Sequence, residues 1–131
     1  MTQAAASTRI RPALLPYLLA SLLLCVLALS AAACASDRAA VHGVCAAAVA
    51  ALCALPALAL GVPHGTNGIL TGFLVGFFAR MIAVAAGLVL SGVRGGAALT
   101  YALSFFGLYA VTQTVEVAYV WGSSRARRAG A

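Results

Sequence analysis

The sequence contains no lysine and almost no acid: Asp37 and Glu116 are its only carboxylate side chains among 131 residues. Charged residues make up 8% of the chain, against about 25% in soluble domains. Hydrophobic residues make up 64%, and a soluble fold of this size could not bury so much apolar surface. The shortage of charge therefore excludes an ordinary soluble domain and favours a protein dissolved in the lipid bilayer.

The chain also lacks the residue combinations on which catalysis and metal binding depend. No serine or cysteine has both a base and an orienting acid nearby, and no glycine-rich phosphate loop is present. The cysteines fall in or beside apolar runs, where small packing residues are expected rather than a disulfide framework: Cys25, Cys34, Cys45 and Cys53. Combined with His42, they match no zinc spacing. We predict that the protein is not an enzyme and binds no metal or cofactor.

Four long apolar runs occupy most of the chain, each long enough for the roughly 20 residues of a membrane-spanning helix. The runs lack the alternation of barrel strands, and their short connectors place neighbouring helices antiparallel. The sequence therefore predicts a single domain of the all-α class, a polytopic membrane protein built as an antiparallel bundle of four transmembrane helices. The predicted spans are residues 13–34, 41–62, 68–91 and 97–121.

The arginines predict how these helices are oriented. With four spans both chain ends lie on one side, and that side would hold most of them: Arg9, Arg11, Arg125, Arg127 and Arg128. The opposite side holds only Arg38 and Arg94. Because positive residues stay on the cytoplasmic side, both termini are predicted to be cytoplasmic, in a bacterial inner membrane. Topology then accounts for the net charge, so no nucleic-acid binding is expected. Tyr119 and Trp121 are predicted to lie at the cytoplasmic headgroups.

The first apolar run has an alternative interpretation as a cleaved signal peptide. Arg9 and Arg11 precede it, and it ends in small residues before Cys34, as cleavage sites do. The run is longer than the 7–15 apolar residues of a signal peptide, however, and a second apolar run follows almost at once. We therefore favour a retained first helix, with cleavage as the alternative.

Glycines recur every four residues in the third run, at Gly68, Gly72 and Gly76, and Gly87 continues roughly the same stripe. Small residues at this spacing let two helix backbones approach closely inside a membrane. We predict that the stripe packs helices together, with the fourth helix of the same chain favoured as its partner over a second copy in a homo-oligomer.

Arg80 lies deep inside the third run, where an arginine costs at least about 2.5–3.5 kcal/mol and needs a partner. The only acid within an apolar run is Glu116, in the fourth. Tyr109, Thr112 and Gln113 share a helix face with it by their spacing. We predict an intramembrane polar cluster of Arg80, Glu116, Gln113 and Tyr109. It is either a staple between helices or a site for an ion, a proton or a docked subunit.

Two segments in the second half carry a further pattern, GILTGFLVGFFARMIAVAAGLVLSG and SFFGLYAVTQTVEVAYV. The first has glycines and a central basic residue; the second has an aromatic-Gly-x-Tyr stretch followed by a glutamate. This pattern resembles the bacterial ATP synthase protein I family over residues 68–120, under half of the chain. The alanine-rich second run with Pro56 has no counterpart there. The matching positions are Gly76, Arg80, Phe106, Gly107, Tyr109 and Glu116.

The resemblance implies a four-span, non-catalytic accessory protein of the ATP synthase membrane sector that assists assembly of the c-subunit ring. Its partners would be the bilayer and the c or a subunits of the synthase. Two alternatives stay open: a small structural subunit of another respiratory or photosynthetic complex, and a small transporter or channel. Four-helix multidrug exporters fit in size, but their essential glutamate lies in the first helix, and the first run here contains no charged residue.

Overall fold

The computed structural model describes residues 11–129, which are almost entirely helical. The described part contains four α-helices: α1 (Arg11–Ala33), α2 (Arg38–Gly61), α3 (Gly65–Ser91) and α4 (Gly96–Ala129). A 3-10 turn, Val62–His64, joins α2 to α3. No β-strand occurs between residues 11 and 129, so the all-α prediction is confirmed.

The boundaries of the helices depart from the predicted ones at three places. The expected connector 63–67 contracts to the 3-10 turn, and α3 begins directly after it at Gly65. α4 continues beyond Trp121 to Ala129, so the C-terminal arginines lie on a helix rather than in a loose tail. α2 begins at Arg38 because Asp37 caps it: the Asp37 carboxylate accepts a hydrogen bond from the Ala39 amide at 2.8 Å.

α2 is the central helix of the described bundle and packs against α1, α3 and α4. Its alanines make this possible, because a methyl side chain lets a neighbouring backbone approach from several directions. The alanines that are at most 4% exposed are Ala39, Ala47, Ala48, Ala50, Ala51 and Ala54. This alanine-rich helix is thus enclosed by the helices around it.

α2 and α3 form a tight antiparallel hairpin along the glycine stripe. A Cβ atom added to Gly68 would collide with the backbone carbonyl of Gly61. One added to Gly72 would lie 3.0 Å from the carbonyl oxygen of Ala57. The prediction that this stripe packs against the fourth helix was therefore wrong for Gly68, Gly72 and Gly76, which face α2. α2 offers the flat surface of glycine and alanine that close backbone contact needs, whereas α4 presents buried aromatic rings such as Phe105.

α4 packs on α2 through a second close approach. Gly43 of α2 lies against the backbone of α4, where a Cβ atom would collide with the Tyr101 carbonyl and lie 3.2 Å from the Phe105 amide. Gly87 of α3 borders both neighbours, since its Cβ would meet Ala46 of α2 and the Tyr101 hydroxyl of α4. Apart from such points, α3 and α4 have little direct packing.

α1 completes the bundle by packing on α2 and α4. Tyr17 stacks on Tyr119 with ring centroids 4.2 Å apart and an angle of 7° between the rings. Tyr119 is 7% exposed because α1 covers it, so its ring packs inside the bundle. Trp121, at 60% exposure, lies outside the bundle.

Large apolar side chains cover the outer faces of α1 and α3. On α3 the exposed ones are Leu70, Leu74, Val75, Phe77, Phe78, Met81, Ile82, Leu88, Val89 and Leu90. By length and composition, two stretches of the described chain could cross a membrane, Leu14–Ala33 and the 54-residue Arg38–Ser91, which contains the α2–α3 hairpin.

Candidate functional site

The candidate site is an ion pair buried between α3 and α4. Arg80 Nη2 donates to Glu116 Oε1, and the two residues are 5% and 4% exposed. Each side chain leans toward the N-terminus of its own helix. Because α3 and α4 run in opposite directions, the two leans converge and bring the charges together.

Gly76 makes room for the arginine. It precedes Arg80 by one helical turn, on the face over which the guanidinium folds back. A Cβ atom at Gly76 would lie 2.9 Å from Arg80 Nη1 and 3.4 Å from the Cβ of Ala54. The glycine stripe therefore serves two purposes, close packing on α2 and space for a buried cation.

Tyr109 supports the guanidinium from α4. The Cζ atom of Arg80 lies 5.1 Å from the centroid of the Tyr109 ring, within the range of a cation–π interaction. Gln113, one turn further along α4, is half-buried and makes no hydrogen bond to any side chain of residues 11–129. The structure thus brings together Arg80, Glu116 and Tyr109, while Gln113 only borders them.

A second polar link joins the same two helices. The Tyr101 hydroxyl donates to the backbone carbonyl of Val84 at 3.2 Å, and Tyr101 is fully buried. The sequence analysis did not identify this residue. It belongs to a face that only the structure reveals, on which the buried positions of α4 repeat every eleven residues: Tyr101, Phe105, Leu108, Thr112, Glu116, Tyr119 and Ser123.

Further buried hydroxyl groups extend the polar interior, and of these the sequence analysis had noted only Thr112. Tyr17 and Ser21 on α1, and Thr112 and Ser123 on α4, are each at most 6% exposed. The hydroxyls of Tyr17 and Ser123 have no hydrogen-bond partner in the described part of the chain. Tyr17 and Ser21 lie one turn apart, so a polar face on an apolar helix was the signal for them. A buried unpaired hydroxyl of this kind is a place for an ordered water.

A cleft of about 60 Å³ opens beside the ion pair. Phe77 and Met81 of α3 and Phe105, Phe106 and Tyr109 of α4 line it together with Arg80. It exists because α3 and α4 are bridged by long polar side chains instead of being packed backbone to backbone. Its walls are apolar and aromatic, so the arginine is screened from the surroundings.

The remaining chemistry-bearing side chains are dispersed. Within residues 11–129, no group of three or more His, Cys, Asp or Glu side chains is placed to hold a metal ion. The cysteines are free thiols; Cys34 and Cys53 are exposed and Cys25 is buried. His64 lies on the surface, where its ring bonds to the Leu60 carbonyl at 2.8 Å.

The arrangement neutralises one buried positive charge with one negative charge and joins two helices. It contains polar hydrogens and hydroxyls but no nucleophile beside a base within the described residues. Comparisons with models of known families, with curated proteins and with solved structures give no match to this chain.

Proposed function

We propose that this chain is a non-catalytic accessory protein of the ATP synthase membrane sector, in which it assists assembly of the c-subunit ring. The proposal rests on where the polar and the apolar side chains lie in the bundle. Arg80 and Glu116 neutralise each other inside, whereas the outer faces of α1 and α3 are apolar. Such faces suit contact with lipid or with the helices of a membrane partner.

The hairpin supports the four-span architecture that we propose. As one straight helix, Arg38–Ser91 would be about 80 Å long, far more than the roughly 30 Å of a bilayer core. Because α2 and α3 fold back on each other, this stretch crosses twice. α1 crosses once, and α4 crosses with Glu116 shielded by Arg80.

Both termini are cytoplasmic in this proposal, in the inner membrane of a bacterium. The exposed Arg125 and Arg128 lie on the last turns of α4. The Cζ atom of Arg125 lies 4.0 Å from the centroid of the Trp121 ring. Arg38 and Arg94 lie at the opposite end of the helices. The positive-inside rule favours the side with more arginines. The predicted contribution of Arg9 lies outside the described residues.

Five of the six residues that carry the ATP synthase protein I resemblance lie together, whereas Gly107 is exposed and lies apart from them. Gly76 leaves the space that Arg80 occupies, Tyr109 lies against the guanidinium, and Glu116 supplies the counter-charge. Phe106 lines the adjoining cleft. Contact among most members of the pattern is the structural support for using the resemblance in this proposal.

The exposed face of α3 is the proposed contact for the c or a subunits. Phe78 and Ile82 lie one turn apart on this face and are 56% and 67% exposed. A photoreactive amino acid at Phe78 should crosslink to a synthase subunit in native membranes. The same probe at Val111, an exposed position on α4, serves as the control. Crosslinks between copies of this chain at Phe78 would indicate a homo-oligomer instead.

The function is tested by deleting the gene and measuring assembled c-ring in membranes. We expect less ring in the deletion strain, recovery on complementation, and copurification of c subunit with the chain in mild detergent. Normal rings, together with copurification of subunits from another respiratory or photosynthetic complex, would replace this proposal by the structural-subunit alternative.

The topology has its own test. Reporter fusions after Asp37 and Arg94 should report the periplasm, and fusions after Gly65 and Ala131 the cytoplasm. A cytoplasmic signal at Arg94 or a periplasmic one at the C-terminus would overturn the four-span arrangement.

A further inference from the structure

A groove of about 460 Å³ lies between α2 and α3, toward the end of the hairpin away from the Val62–His64 turn. Its walls are formed by Ala46, Val49, Ala83 and Ala86, and His42 and Ser91 lie at its rim. The volume falls in the range of about 300–1,000 Å³ that is typical of ligand sites. The groove exists because both helices present mostly methyl groups here, which leave the space between the helices unfilled.

The register of the α2–α3 hairpin carries two arginines past the polar rim. Gly61 packs beside Gly68 at one end of the hairpin, and Ala46 beside Gly87 further along. Continued in this register, α2 reaches Arg38 at the level where the chain after α3 reaches Arg94. Arg38 precedes His42 by one turn and so shares its helix face.

Both arginines are exposed and have no carboxylate partner among the described residues. The one acid nearby, Asp37, uses a carboxylate oxygen to cap α2. The groove therefore joins an apolar trough to a pair of positive charges at the membrane surface. The molecule complementary to that arrangement has an apolar chain and a single anionic head.

We propose that the groove binds an anionic phospholipid, with one acyl chain along Ala46, Val49, Ala83 and Ala86 and the phosphate between Arg38 and Arg94. The lipid comes from the leaflet opposite the chain termini. The inference rests on membrane residence, which is part of the proposed function, and not on ATP synthase as the partner. Arginine suits the role because its planar fork binds phosphate oxygens in pairs.

Native mass spectrometry of the purified chain in detergent tests the proposal, with phosphatidylglycerol and phosphatidylcholine of identical acyl chains as probes. Phosphatidylglycerol should bind more tightly. Changing Arg38→Gln and Arg94→Gln together should weaken its binding about thirtyfold, since each basic residue near a headgroup contributes a factor of about five. Phosphatidylcholine binding should fall much less, because the choline cation already offsets the charge of its phosphate. The matched control is Arg125→Gln with Arg128→Gln, at the other end of the helices.

The groove itself is tested with Ala86→Phe, which should lower binding of both lipids by filling the trough. Ala85→Phe, at the exposed neighbouring position outside the groove, should bind like the wild type. Equal affinity of the wild type for both lipids, or equal losses in the two arginine pairs, would overturn the proposal. Because the purified chain is measured alone, these outcomes do not depend on whether c-ring assembly requires the protein.

Discussion

The two contacts made by α3 are built on opposite principles. Against α2, it places Gly68 and Gly72 on the backbone of the facing helix. Against α4, it packs sparsely and is joined by an ion pair and by the Tyr101 hydroxyl. Within a membrane, where lipid is as apolar as leucine, dispersion forces and polar bonds are the available means of association. α3 uses dispersion forces on the side that faces α2 and polar bonds on the side that faces α4.

This difference predicts which kind of substitution should weaken each of the two helix contacts. A backbone contact tolerates no added atom, but its energy is spread over many small interactions. A polar bridge concentrates its energy in two or three atoms, and losing one partner leaves the other unsatisfied. The α3–α4 contact should therefore respond most to a change in charge, and the α2–α3 contact to a change in size.

The largest effect is expected at Glu116. Glu116→Gln leaves Arg80 buried without its counter-charge, which should cost about 3–5 kcal/mol of unfolding free energy. The measurement is unfolding in mixed micelles titrated with SDS. The double variant Arg80→Gln with Glu116→Gln removes both charges and should recover much of the loss. If the single variant unfolds like the wild type, the pair does not stabilise the α3–α4 contact.

The next effect is expected in the glycine stripe. Gly68→Ala places a Cβ against the Gly61 carbonyl and 2.8 Å from the Cβ of His64, so overpacking should cost about 1–3 kcal/mol in the same assay. Gly107→Ala is the matched control, because a Cβ there meets nothing within 4 Å. The control should unfold no more easily than the wild type, since alanine favours helix over glycine. Equal behaviour of the two variants would argue against close contact between α2 and α3.

A smaller loss is expected at the second polar link. Tyr101→Phe keeps the ring and removes the hydrogen bond to Val84, a kind of bond worth about 0.6 kcal/mol between membrane helices. Hydrogen exchange at the amides of α3 should rise near Val84 and stay unchanged near Gly68. A uniform change along α3 would contradict a local role.

The smallest expected effect on the free energy of unfolding is in the stabilising direction. Tyr17→Phe removes a buried hydroxyl without a partner in the described residues and keeps the ring that stacks on Tyr119. Stability should be unchanged or rise by up to about 1 kcal/mol, because an unsatisfied buried group is lost. A clear loss of stability would show that the hydroxyl is hydrogen-bonded, through a water beside Glu116 or Arg80.

Much of the site was predictable because charge is so scarce in this chain. A buried Arg80 had one available partner, and the spacing of Tyr109 and Glu116 placed them on one face of α4. Tyr17 and Tyr101 could not be found in the same way. A tyrosine suits a membrane interior, a headgroup boundary or a hydrogen bond equally well. Which role it takes depends on the helix that covers it.

Composition and run length by themselves determined the helical class, because long apolar runs without the alternation of strands favour helices. Scarcity of charge determined that Arg80 and Glu116 would be paired. Only the tertiary structure decided that the glycine stripe packs on α2, that α2 lies at the centre and that α1 covers Tyr119. Small residues indicate that another helix can approach closely, but they do not indicate which helix does so. The partner depends on how well the whole faces of two helices fit together.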